Sequence, residues 1–333
     1  MLDGRKSAIL RAVVRQYIET AQPVGSSSVA ARTEVNVSSA TVRNEMTVLE
    51  DDGYLYQPHR SAGRVPTEKG YRHFVDNLSG DEPMSPPNVR LIAEFFNSAH
   101  GEIERMLADT SALLSSVTGT AAVVVGEATN VATFRSVQLV QLNGFLILVV
   151  AVLSNGAVLK RTIELSDEAD TDVIEDAQRL MVSLVVDTSL EDLTALRVDE
   201  QSPRAELSSA ALEELQVAAE LEAQQFFVEG RAHIAGSFDA RETVESVLGI
   251  LEQQLVVVSL LKELVDSGVA VSIGSESGVA RLAECSLVVA PYRLGDESAG
   301  AIAVVGPTRM NYPETLSAVA IVSRRLSNLL AED

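Results

Sequence analysis

Arg43 and Asn44 stand side by side in the run Ser38-Ser39-Ala40-Thr41-Val42-Arg43-Asn44-Glu45-Met46, and the side chains of that run suit the edges of base pairs. A guanidinium grips guanine O6 and N7 with two hydrogen bonds, a carboxamide does the same at adenine N6 and N7, and the methyl groups of Ala40 and Thr41 match a thymine methyl. Ser38 and Ser39 can hold phosphate together with the free N–H groups of a helix that starts there. From pattern alone, the alternative is that Arg43 and Asn44 are solvated residues of an exposed helix face. Downstream, Pro58-His59-Arg60-Ser61-Ala62-Gly63-Arg64 gathers two arginines and a histidine. Such a group suits phosphate or a minor groove, and taken by itself it also reads as an ordinary charged turn.

For these groups to act together, particular elements must present them. Leu10, Val13, Val14, Tyr17 and Ile18 recur at helical spacing, and Gln22-Pro23-Val24-Gly25 stops that helix. Ser26 and Ser27 cap a short second helix to about Arg32. After a break at 34–37, Ser38 or Ser39 caps a third helix that runs to about Asp52. On it Val42, Met46 and Leu49 share one face, while Ala40, Arg43, Asn44 and Thr47 point the other way. A strand at 53–57, a tip at 58–63, a return strand at Arg64-Val65 and a helix marked by Tyr71, Phe74, Val75 and Leu78 complete the unit.

Three helices and a hairpin in this order predict a winged helix-turn-helix whose third helix enters the major groove. The DNA-binding residues expected from it are Ser38, Ser39, Ala40, Thr41, Arg43, Asn44 and Thr47 on the helix, with His59, Arg60 and Arg64 on the wing.

The net charge of −21 argues at first against nucleic acid, because Lys and Arg normally supply most of the affinity for phosphate. Its distribution along the chain reverses that inference. Residues 1–78 hold ten Lys/Arg against nine Asp/Glu, giving +1, so the other 255 carry 16 against 38, giving −22. DNA contact therefore falls to the N-terminal unit, and the acidic remainder suppresses non-specific binding.

The chain of 333 residues predicts two or three domains. The stretch 79–90, with three prolines, reads as a semi-stiff linker. A long helical pattern follows at 91–117. Strand-like runs come at 121–125, 133–141, 145–153 and 158–165. Residues 170–186 and 205–266 read as helical, strands return at 269–273, 287–292 and 301–305, and a helix at 316–330 closes the chain. A β-rich unit interrupted by a mainly helical block is the simplest account. In that block Val244, Val247, Leu248, Leu251, Leu255, Val258, Leu261 and Leu264 form a helical stripe. Such a stripe reads as core, with part of it available for a two-fold contact between copies.

The run 38–46, then Leu49-Glu50, Gly53-Tyr54-Leu55, Gln57-Pro58-His59, Ser61 to Thr67 and Gly70-Tyr71-Arg72, closely resembles the heat-inducible transcription repressor family HrcA. Ile273-Gly274-Ser275-Glu276, Tyr292 and Gly306-Pro307-Thr308-Arg309-Met310-Asn311-Tyr312 extend the resemblance toward the C-terminus. Arg60 departs from the small hydroxyl residue usual at that place. The resemblance implies an α+β multidomain protein with an N-terminal winged helix-turn-helix at 1–78, a GAF-like α/β domain at 91–165 and 266–333, and an inserted, mainly helical dimerisation domain at 166–265. It further implies a homodimer that binds double-stranded, inverted-repeat operator DNA upstream of chaperone operons and loses repression on heat stress. The chaperonin GroEL, which helps keep several members active, is implied as a partner.

Other signals point to no chemistry of their own. Cys285 is the single cysteine, so no intrachain disulfide and no thiolate zinc cluster can form. It reads as a structural thiol. The four histidines show no metal-ligand spacing. Gly274-Ser-Glu-Ser-Gly278 lacks the lysine of a phosphate loop and reads as a turn. Gly306-Pro307-Thr308-Arg309 reads as a structural turn or, by fold analogy, the mark of a ligand pocket. No catalytic constellation, cofactor site or metal site is expected. With no signal-like segment and no apolar run of membrane-spanning length, the reading is a cytoplasmic protein without a membrane. The rival reading keeps the same head and places a controlling small ligand in the GAF-like domain.

Overall fold

A computed structural model describes residues 2–32, 37–59, 61–78, 84–98, 103–127, 132–154, 156–168, 170–198, 205–222, 224–238, 240–268, 270–294 and 297–332. Helices and three sheets mix along the chain in an α+β arrangement. Two compact units result, one formed by Met1–Val125 with Phe226–Asp333, the other by Gly126–Gln225.

The first unit begins with α1 (Gly4–Thr20), whose N-terminus is capped by Asp3 accepting from Lys6 N–H and whose last turn ends at Ala21 in the left-handed region. Then come α2 (Ser26–Ala30), α3 (Ser39–Asp51), the antiparallel strands β1 (Leu55–Tyr56) and β2 (Val65–Pro66), and α4 (Glu68–Asp76). This order agrees with the elements expected there. Ile9, Leu10, Val13 and Val14 of α1 meet Val42, Met46 and Leu49 of α3 and Tyr71 and Phe74 of α4 in one buried cluster. The turn after α1 is tied to the hairpin by two backbone hydrogen bonds between Val24 and Arg64, each 2.8 Å. Gly63 must be glycine for this: a Cβ there would overlap the carbonyl of Val24.

Helix α5 (Pro86–Ser98) starts inside the stretch expected to be linker, because proline is at home in a helix's first turn, where its missing N–H has no partner to lose. The long helical pattern up to 117 is divided between α5 and α6 (Ile103–Thr118), and residues 99–102 between them are outside the described ones.

Strand β3 (Ala121–Glu127) then enters a five-stranded sheet. In the second unit, β4 (Phe134–Asn143), β5 (Leu146–Leu153) and β6 (Val158–Glu164) form a three-stranded antiparallel sheet. Helices α7 (Thr171–Val185), α8 (Leu190–Leu193) and α9 (Ala205–Glu222) follow. Ile147, Val149, Ala151 and Leu153 of β5 face Ala177, Met181, Ala211 and Leu215 in a core of their own. Period-2 alternation turns Leu146, Leu148, Val150 and Val152 to the other face of the sheet.

Back in the first unit, β7 (Gln224–Glu229) interrupts the stretch 205–266 expected to be helical throughout. Its neighbours Phe226 and Phe227 pack into different clusters, on opposite faces of the sheet. Helices α10 (Arg231–Ser237), α11 (Arg241–Leu251) and α12 (Gln254–Asp266), strands β8 (Val271–Ile273), β9 (Cys285–Leu294) and β10 (Glu297–Pro307), and helix α13 (Tyr312–Glu332) complete the chain.

The sheet order is β7-β3-β10-β9-β8. One face carries Ala122, Val124, Ile302 and Val304 with α5, α6 and α13; the other carries Ala121, Val123, Leu287 and Val305 with α11 and α12. Of the helical stripe, Val247, Leu251, Val258, Leu261 and Leu264 are buried against this sheet, Val244 and Leu248 pack at the edge of the same cluster, and Leu255 is half-buried outside it. The compact division therefore differs from the expected insertion at 166–265: β4–β6 share a core with α7–α9, whereas α10–α12 pack on the five-stranded sheet.

Candidate nucleic-acid interface

The Ser38 side chain accepts from the Thr41 N–H at 3.2 Å, capping α3, and its hydroxyl lies 3.0 Å from that of Thr41. Ser39, Ala40, Arg43, Asn44 and Thr47 are exposed and Thr41 is half-buried, while Val42, Met46 and Leu49 are buried. The division of faces agrees with the helical pattern. Thr47 donates to the Arg43 carbonyl at 3.1 Å.

The carboxylates of α3 are handled in a way the sequence did not disclose. Glu45 pairs with Arg5 of α1 at 3.7 Å, and Glu50 pairs with Arg64 of the wing at 2.8 Å. These two acids, which would repel a phosphate chain, are thereby balanced by cations from other elements, whereas Asp51 at the end of α3 is exposed with no ion pair among the described residues. Arg43 has no carboxylate partner among the described residues, so its five N–H donors face water.

Arg64, expected on the wing, thus has its guanidinium turned toward α3. It is half-buried, with 17% of its side chain exposed, and serves to brace β2 against α3. His59 is exposed at the tip, where its carbonyl accepts from Ala62 N–H at 2.8 Å, and the Gln57 amide donates to the Ala62 carbonyl at 2.7 Å to close the turn. Arg60 lies outside the described residues. At the hairpin's other end Lys69 sits 4.4 Å over the Tyr54 ring and donates to the Asp52 carbonyl, while Tyr54 meets His73 edge-on at 5.7 Å. Burial lowers the His73 pKa below its ordinary value, and its Nε2 lies 3.1 Å from the Ser7 hydroxyl.

Helix α4 also seats the head on the rest of its unit. Arg72 bonds both carboxylate oxygens of Glu276, Nε to Oε1 at 2.9 Å, and donates to the Val271 carbonyl at 2.8 Å. Glu68 accepts from the Ser275 N–H and hydroxyl. Burial pushes the Glu276 carboxyl upward, but hydrogen bonds from Arg72 and the Ile273 N–H outweigh it and hold the pKa below the usual value. Gly274, at φ +57°, lets Glu68 approach; any Cβ there would collide with its carboxylate. The segment 274–278, expected to be only a turn, is the socket of this clasp.

Cys285 is fully buried, and burial pushes its thiol up to about 12, with Glu284 adding to the rise. No group of His, Cys, Asp and Glu suited to a metal ion occurs among the described residues. No single helix among them is long and apolar enough to cross a membrane.

Comparison with known proteins gives a consistent result. The family model for the HrcA protein C-terminal domain matches residues 104–316, more than half of the chain. The heat-inducible transcription repressor HrcA of Streptomyces avermitilis is 36% identical over 338 residues, and that of Acidothermus cellulolyticus 38% over 346, each with 100% of both chains covered. A solved structure described as a hypothetical protein superposes with a TM-score of 0.62 at 22% identity, covering 100% of this chain and 99% of that one, a likeness of fold. Full-length kinship thus joins the exposed, charge-balanced face of α3, and the chain belongs to the HrcA family of heat-inducible transcription repressors, DNA-binding regulators and not enzymes.

Proposed function

We propose that this chain represses heat-shock chaperone operons by binding an inverted-repeat operator as a homodimer in the cytoplasm, and that heat stress releases it. The observation that carries the reading is α3: a capped helix with Arg43, Asn44 and Thr47 outward and with Glu45 and Glu50 balanced from behind. In this reading 1–78 is a winged helix-turn-helix, Arg43 and Asn44 read bases, Ser38, Ser39 and Thr41 hold phosphate, Ala40 and Thr47 offer methyl groups, and His59 and Arg60 extend along the backbone from the wing. Arg64 contributes by fixing the wing to α3.

A two-fold operator needs two copies, and the second unit has the surface for it. Leu146, Leu148, Val150 and Val152, with Val140, Leu142 and Val158 of the flanking strands, make an apolar stripe bordered by Gln138, Lys160, Thr162 and Glu164, with no helix over it among the described residues. A self-complementary contact of two such faces gives a dimer whose dissociation with heat separates the two heads. The five-stranded sheet with its helices is the GAF-like domain of this reading, and the chaperonin GroEL enters as partner on family grounds alone.

The test is a fluorescence-anisotropy titration of a chaperone-type inverted repeat against scrambled DNA at fixed salt. The expected result is a preference of about a thousandfold or more with two protomers per site. Equal, weak binding to both, with and without chaperonin, overturns the reading.

A further inference from the structure

The Gly306-Pro307-Thr308-Arg309 segment lines a cleft of about 470 Å³, a volume suited to a small molecule, against Tyr17 of α1 and Tyr71 of α4. Its charges are unspent. Arg309 is half-buried and donates to the Ser237 carbonyl at 2.9 Å, with no carboxylate partner among the described residues. Glu284, lining the same cleft, accepts from the Thr243 hydroxyl at 2.7 Å and has no cation partner among them. Glu68 also lines it, with its oxygens held by Ser275. Tyr71, 3% exposed, keeps a hydroxyl without a hydrogen-bond partner among the described residues.

With the Glu68 oxygens already held by Ser275, the groups open to a ligand are one guanidinium and one carboxylate, which suit neither a plain anion, repelled by Glu284, nor a plain cation, repelled by Arg309. We propose that the cleft binds a small zwitterion with an aromatic or apolar group, the class of the free α-amino acids. Its carboxylate pairs with Arg309, its ammonium with Glu284, and its side group packs on Tyr17, Tyr71 and Phe238. Tyr17, Glu68 and Tyr71 belong to the DNA-reading head, and Phe238, Glu284 and Arg309 to the sheet and its helices. An occupant therefore bridges the same two parts that the Arg72–Glu276 clasp joins, and biases how the head is held. The inference adds a ligand to the repressor reading, and its test does not involve DNA.

Calorimetric titration of the full chain with L-phenylalanine, benzoate and phenethylamine decides it. Phenylalanine is expected to bind roughly tenfold or more tightly than benzoate, which lacks the ammonium, or phenethylamine, which lacks the carboxylate. Arg309→Lys and Glu284→Gln each weaken phenylalanine by about tenfold, and Glu284→Gln, at an exposed position, leaves the melting temperature of the empty protein unchanged. Absence of phenylalanine binding at millimolar concentration, benzoate binding as tightly, or unaltered affinity in Glu284→Gln each overturns it.

Discussion

The outer side of α3 and the outer side of β5 are opposites. The first shows Arg43, Asn44 and Thr47; the second shows Leu146, Leu148, Val150 and Val152. In the proposed function, polar groups on α3 gain by exchanging water and counter-ions for phosphates and base edges, so salt sets their strength. The apolar strand gains only by leaving water, so the concentration of a second copy sets its strength. In the proposed function, affinity for a two-fold operator rests on these two terms, and each can be broken alone.

The largest effect is expected from Leu148→Asp, which places a charge at the centre of the apolar face without touching the core behind it. Sedimentation velocity should show a monomer with unchanged circular dichroism, and operator affinity should fall by about a hundredfold or more. A dimer that survives would move the two-fold contact elsewhere. Arg43→Ala comes next, costing about 1–3 kcal/mol of operator binding and relaxing the preference at one base pair, with dimerisation untouched. Equal weakening on every sequence would make Arg43 a phosphate contact.

Arg64→Ala leaves Glu50 without its cation in a half-buried place, and should cost roughly 1–2 kcal/mol of stability, read as a lower melting temperature. An unchanged melting temperature with a shallower salt slope would return Arg64 to the DNA. The smallest effect is a pH dependence confined to the head. His73 has a pKa lowered by burial, so the folded head binds its proton less readily than the unfolded chain does. Its contribution is complete at neutral pH and fades as pH falls below the ordinary value of 6.5. Operator binding should weaken over that window in the wild type more than in His73→Gln, while dimerisation stays level.

The parts of the head that are local in sequence were the legible ones. Ser38 as a cap and Val42, Met46 and Leu49 as a buried stripe follow from spacing within a single helix, and the element order of 1–78 followed from such cues. What escaped depends on tertiary partners. Arg64 has the composition of a wing contact, and its pairing with Glu50 depends on the approach of α3, which the local sequence does not show. In the Ala-, Glu- and Gln-rich stretch after 205, Phe226 and Phe227 give little helical or strand signal, and β7 exists because a sheet offers both faces to them. The assignment of β4–β6 to one core and α10–α12 to another depends on which apolar faces meet, and each element's own pattern is silent on that.

The Arg72–Glu276 clasp joins residues 204 positions apart. On a ribosome adding about 5–20 residues each second, α4 emerges about 10–40 s before the turn that receives it. Each newly made copy therefore passes through an interval in which α1–α4 have been made and this clasp has not yet closed on them, so the youngest molecules in a cell present their α3 helices under different constraints from the finished ones.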